Sequence, residues 1–214
     1  MARNNKHRSK PRSTPLNQHK KNQNKAVREV FVWDYRGYGK SLPETAPASP
    51  DWMSDALVAF DAALEVAPDT SKMIVYGMSG GGFPSGEMMD KRDLCAQIFE
   101  AAVISVGKKI EENLSVSLPG SFLTSGALET DIKLMDTTHP TLIMHGTDDA
   151  TVSINSARKF FEQLPEDLPK TMFEVEGAGH GIGDTIGVPD YNYANYRDAM
   201  MDFLAEKSSG CLSE

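Results

Sequence analysis

Three short stretches of this chain carry side chains suited to nucleophilic chemistry. The first is KMIVYGMSGGGFPS, residues 72–85, where Gly77-Met78-Ser79-Gly80-Gly81 reads G-x-S-x-G. Glycines two positions either side of a serine suit a sharp, strained turn in which larger side chains would collide. A helix starting just after Ser79 would aim its unpaired N–H groups at a reacting oxygen. The pattern has a plainer reading as an ordinary strand-to-helix turn. Its place between an apolar run and a helical pattern favours a nucleophile, with Gly80 as an oxyanion donor and Met78 at the substrate.

A serine hydroxyl needs a base, and the base needs an acid to orient it. Of five histidines, His7 and His19 lie in a polar N-terminal segment, and His139 precedes an apolar run rather than following one. His145 ends the run PTLIMHG and is a secondary candidate. His180, in GAGHG, follows the last run on a glycine-flanked turn and is the best-placed base. The acid is Asp148 or Asp149, adjacent in HGTDDATV, where a turn or helix-cap aspartate is the alternative.

These stretches need a scaffold, and the sequence supplies an alternating one. Apolar, β-branched runs at 30–33, 73–77, 96–107, 140–146 and 170–177 read as buried strands. Between and after them, DWMSDALVAFDAALEVA, GEMMDKRDLCA, NSARKFFEQL and NYANYRDAMMDFLAEK read as helices, the third capped by Asn155. Such alternation predicts an α/β fold: a mostly parallel sheet with flanking helices. Sites in these folds lie beyond the carboxyl ends of the strands, where Ser79, the Asp148–Asp149 pair and His180 all fall.

Composition narrows the classes. At 40% hydrophobic and 24% charged residues, the 214-residue chain suits one folded domain, and no window is apolar enough to span a membrane. Residues 1–25 hold eight Lys or Arg and no acid, leaving fourteen basic against thirty acidic residues elsewhere. The acidic body argues against general nucleic-acid or anionic-membrane binding. The basic segment lacks the aromatics that stack on bases and reads as a disordered tail over 1–26. The domain proper is expected over 27–207, with a C-terminal tail at 208–214. Cys95 and Cys211 match no metal spacing and read as unpaired thiols of a cytoplasmic protein. No metal or organic cofactor is implied, and the sequence does not speak to oligomeric state.

VFVWDYRGYGKS, VYGMSGGG and PTLIMHGTDDATV followed by EGAGHG together resemble serine hydrolases of the α/β-hydrolase superfamily, near its serine aminopeptidase-like and monoacylglycerol-lipase-like branch. The resemblance spans roughly 27–205. It implies a Ser79, Asp149, His180 triad, because the family's acid is the fourth residue of G-x-x-D-x-x-V. It also implies hydrolysis of a small acyl substrate, an ester, thioester or amide, through an acyl-enzyme. Asp34 and Arg36 read as structural. Residues 107–138 could form a lid or acyl-binding wall through Leu114, Leu118, Phe122, Leu123 and Leu128, or pack in the core. Tyr191, Tyr193 and Tyr196 could rim a substrate or pack the last helix.

The family's second oxyanion donor follows a strand that has no counterpart ahead of Val27. The expectation is therefore an N-terminally truncated fold, in which residues 30–33 either pair directly with 73–76 or detach. That leaves two functional readings: an active serine hydrolase, or an impaired relative that binds an acyl ligand or a protein partner.

Overall fold

The computed structural model describes residues 29–41, 49–105, 128–180 and 190–212. Four strands, β1 (Ile74–Met78), β2 (Ala96–Glu100), β3 (Thr141–Gly146) and β4 (Lys170–Val175), form one sheet in the order β1-β2-β3-β4. All three pairings are parallel, with Met78 opposite Glu100, Glu100 opposite Met144, and Gly146 opposite Val175. β2 and β3 are buried at every position, as central strands of a parallel sheet covered on both faces should be, and that burial includes the polar Gln97, Glu100, Thr141 and His145.

Helices cover both faces. On one, α1 (Ser49–Leu64), α2 (Gly82–Lys91) and α4 (Ile154–Gln163) surround a core of Phe60, Val75, Met88, Phe99, Ile143 and Phe160. Phe99 and Phe160 meet edge to face at 5.6 Å. On the other, α5 (Asp190–Lys207) and α6 (Ser209–Leu212) cover Ile98, Leu142, Met144 and Val175 with Phe203 and Leu204. The short α3 (Thr130–Lys133) lies between β2 and β3 in the chain and packs on α2 through Gly86, where an added Cβ would meet Thr130 Cγ2 at 2.2 Å. This is the α/β architecture the alternation predicts.

Several expectations need correction. Residues 30–33 do not enter the sheet, so among the described residues β1 has no outer partner. Nor is the run buried throughout: Val30 and Val32 are 64% and 54% exposed, while Phe31 and Trp33 pack against the core. The run fixes which side chains go inward but supplies no ladder. α2 begins at Gly82, four residues before the expected start, directly after the serine turn. The cap of α4 is Ser153, whose hydroxyl accepts from the Asn155 N–H at 3.2 Å, rather than Asn155 itself.

The two cysteines are not free. Cys95, ahead of β2, and Cys211, in α6, form a disulfide across 116 residues of sequence. The tail expected at 208–214 accordingly includes a docked helix, with Ser208 and Cys211 buried. The basic segment and the lid residues Leu114, Leu118, Phe122 and Leu123 lie outside the described residues. Leu128 is fully buried with Trp52, Phe83, Val103 and Val152, a packing role.

Candidate active site

The site forms where β1, β3 and β4 end. β1 delivers Ser79 into a tight turn, Ser79–Gly81, that runs straight into α2. Ser79 has φ 51°, the left-handed region that a side chain rarely adopts. Gly77 is required sterically, since a Cβ there would lie 2.1 Å from Ser85 Oγ and 2.6 Å from the Gly81 carbonyl oxygen. Gly81 is not, because its Cβ would reach only 3.7 Å from the Tyr35 hydroxyl. Gly82, outside the five-residue pattern, takes that duty: its Cβ would meet the Val103 carbonyl oxygen at 2.6 Å. The Val103 N–H donates to the Ser79 carbonyl at 2.9 Å and pins the turn to the segment after β2.

β3 ends in Gly146, and the following turn carries Asp149. β4 ends in Val175, and the turn after it carries His180. The two turns are stitched together: Thr147 N–H donates to the Val175 carbonyl at 3.0 Å, and Asp148 N–H to the Ala178 carbonyl at 2.9 Å. Asp148 is thus bound through its backbone, while the Asp149 carboxylate points inward and is fully buried.

Ser79, His180 and Asp149 form a continuous hydrogen-bonded chain. His180 Nδ1 lies 2.8 Å from Asp149 Oδ2, and His180 Nε2 lies 2.9 Å from Ser79 Oγ. A carboxylate only accepts, so Nδ1 carries the proton in neutral His180, and Nε2 is left to accept from the serine hydroxyl. Gly80 sits in the turn after Ser79, among the N–H groups without intrahelical partners at the head of α2. Met78, half-buried, is the last residue of β1.

Asp149 is saturated with donors. Its Oδ1 accepts from the N–H groups of Thr151 at 2.7 Å and Val152 at 2.8 Å. Its Oδ2 faces His180 Nδ1 and, at 3.3 Å, His145 Nε2. Burial alone would raise its pKa, but hydrogen bonds from His145, His180 and the two backbone N–H groups outweigh it and hold the carboxyl well below the usual range. The site therefore keeps a fixed anion behind His180.

His145 bears on the acid rather than on the serine. Sequence reasoning saw two candidate bases at strand ends and had no signal that one would lie beneath the other's partner. Arg36 pairs with Asp51 and Asp55 of α1, and the Asp34 carboxylate accepts from the Lys40 N–H at 3.1 Å. Both tie the 34–41 loop in place. Of the three tyrosines, Tyr196 is described at side-chain level and donates to buried Glu100 at 2.6 Å, which is packing on the sheet rather than a rim. Among the described residues no group of three His, Cys, Asp or Glu is placed to hold a metal, and no helix is long and apolar enough to cross a membrane.

No protein-family profile matches the chain. Individual relatives do. It is 30% identical over 154 residues to the Caenorhabditis elegans alpha/beta hydrolase domain-containing protein aho-3, covering 71% of this chain and 43% of that one. It is 27% identical over 183 residues to the Xenopus laevis alpha/beta hydrolase domain-containing protein 17B, covering 83% and 57%. To the human protein 17C it is 26% identical, covering 83% and 50%. The chain thus spans about half the length of the curated relatives it matches.

Solved structures agree on the fold. The Paleococcus ferrophilus monoacylglycerol lipase superposes with a TM-score of 0.63 at 17% identity, over 82% of this chain and 83% of that one. A thermophilic esterase of Thermogutta terrifontis, solved with butyrate bound, gives 0.62 at 22% identity, over 82% and 71%.

Proposed function

We propose that this chain, which has the α/β-hydrolase fold and is similar in sequence to alpha/beta hydrolase domain-containing proteins, is a serine-dependent acyl hydrolase acting on small carboxylic esters or thioesters, with amides as harder substrates. The observation that carries this reading is the unbroken run of hydrogen bonds from Asp149 through His180 to Ser79.

Chemistry follows from the geometry. His180 Nε2 takes the hydroxyl proton as Ser79 Oγ attacks the substrate carbonyl carbon. The carbonyl oxygen becomes an oxyanion, stabilised by the Gly80 N–H at the head of α2. Asp149 holds the Nδ1–H tautomer and offsets the charge of the imidazolium. Collapse expels the alcohol or thiol, protonated by His180, and leaves an acyl group on Ser79. Water, activated by the same imidazole, releases the acid. No metal or organic cofactor takes part in this scheme.

Hydrolysis of p-nitrophenyl and thioester substrates of graded acyl length tests the proposal. The wild type should turn over, and Ser79→Ala should lose at least ~10³-fold in kcat. Turnover that survives Ser79→Ala would refute it. The second reading, an acyl-ligand binder without turnover, draws on β1 having no outer partner among the described residues, beside the serine turn. It predicts ligand binding by a folded chain with no release of product.

A further inference from the structure

We propose that His145 is a positioning residue for this site, its Nε2–H fixing the Asp149 carboxylate so that Oδ2 faces the base. The inference rests on the serine-hydrolase reading and deepens it.

His145 is the penultimate residue of β3, four residues before Asp149, and is wholly inaccessible to solvent. Its Nε2 lies 2.9 Å from the Val152 carbonyl oxygen and 3.3 Å from Asp149 Oδ2. Both are acceptors, so Nε2 must carry a proton and divide it between them. The buried Nδ1 has no partner among the described residues. The hydrogen shared by the Val152 carbonyl and the Asp149 carboxylate therefore sits on Nε2, the ring nitrogen that faces acceptors. One N–H thus ties the two ends of the turn 149–152 together: the carboxylate that opens it and the carbonyl that closes it.

This placement has a chemical purpose. Asp149 Oδ1 is fully engaged by the N–H groups of Thr151 and Val152, which fix one oxygen. Oδ2 is the oxygen that receives His180 Nδ1–H, and His145 is the second donor to it. Without His145, Oδ2 keeps His180 as its one side-chain donor, so the tilt of the carboxylate toward the imidazole rests on that bond and the two Oδ1 contacts alone. His145 touches neither the serine nor any position where a substrate could react. Its effect on the reaction runs entirely through Asp149 and then His180.

The test is ester hydrolysis with kcat expressed per fluorophosphonate-titrated site, so that a misfolded fraction does not count. His145→Leu keeps the bulk and removes the donor. His145→Gln returns an N–H at about the reach of Nε2, and His145→Asn carries the same amide too short to reach. Loss of a partner that orients a working side chain is expected to lower kcat per site roughly 10–100-fold. KM should be unchanged, and Gln should recover most of the loss while Asn does not. If His145→Leu does not fold, the Gln and Asn pair carries the test alone.

Wild-type kcat per site in His145→Leu, or equal impairment in Gln and Asn, would overturn the role of His145 and leave the serine-hydrolase reading standing. A fall confined to KM would overturn it as well. A wild type without Ser79-dependent turnover would overturn both.

Discussion

Gly146→Ala probes how tightly the acid and base turns are held together. Gly146 ends β3, and a Cβ built there would lie 2.3 Å from the Ala178 carbonyl oxygen and 2.5 Å from that of Gly179. These are backbone atoms of the turn that carries His180, so no flexible side chain can give way. Restoring ordinary contact requires the turns to part by roughly 1 Å. The Asp148 N–H to Ala178 bond, now 2.9 Å, stretches with them. Overpacking of this size costs about 1–3 kcal/mol of stability. A displacement of 1 Å at a reacting group costs about 10²-fold in rate, because the 2.9 Å contact between His180 and Ser79 is lost. Urea melts and fluorophosphonate labelling rates at Ser79 read the two effects separately. Gly210→Ala, whose new methyl meets nothing within 4 Å outside its own helix and chain neighbours, is the control and should neither lower stability nor slow labelling. A Gly146→Ala variant that folds and labels at the wild-type rate would refute the claim that these turns are held by close backbone approach.

Further outcomes follow from the same contacts. The depressed Asp149 carboxyl contributes stability that is complete above its unfolded pKa of about 4 and is lost as pH falls toward its folded value. The stability gap between wild type and Asp149→Asn in urea should therefore be widest near neutral pH and close progressively below about pH 4. At neutral pH Asp149→Asn should also lose ~10³–10⁴-fold in kcat, as the imidazole takes the wrong tautomer. Reducing the disulfide between Cys95 and Cys211 releases α6 from the start of β2, and should lower unfolding free energy by about 2–4 kcal/mol in a melt with and without reductant. Tyr196→Phe removes one phenol from buried Glu100, which also receives Tyr76, and should cost about 1–3 kcal/mol by the same assay with kcat per site unchanged.

How much was legible in the sequence depends on which distances the features span. The four strands of the sheet were readable from short runs rich in apolar, β-branched and aromatic residues, buried throughout in β2 and β3 and only in part in β1 and β4. Ser79, Asp149 and His180 were readable because each stands just past such a run, and parallel strands bring those ends together. Residues 30–33 misled because an unbroken apolar run does not say whether a neighbouring strand exists to pair with, nor that two of its four side chains would be exposed. The cysteine pairing was hidden because contact across 116 residues leaves no local mark, and spacing alone pointed to free thiols. Gly82 carried no signal in the five-residue pattern, since its constraint comes from the Val103 carbonyl oxygen on another segment. The place of His145 was hidden for a related reason: at i and i+4 across a turn, only the folded path decides whether it meets the serine or the acid.

The central claim is that Ser79 is an activated nucleophile. Its most direct test is intact-mass and peptide analysis of the purified chain after reaction with a fluorophosphonate probe, alongside Ser79→Ala. One adduct per chain is expected, located on Ser79, and none in the variant. A folded wild type that takes up no probe, or an adduct that persists in Ser79→Ala, would contradict it.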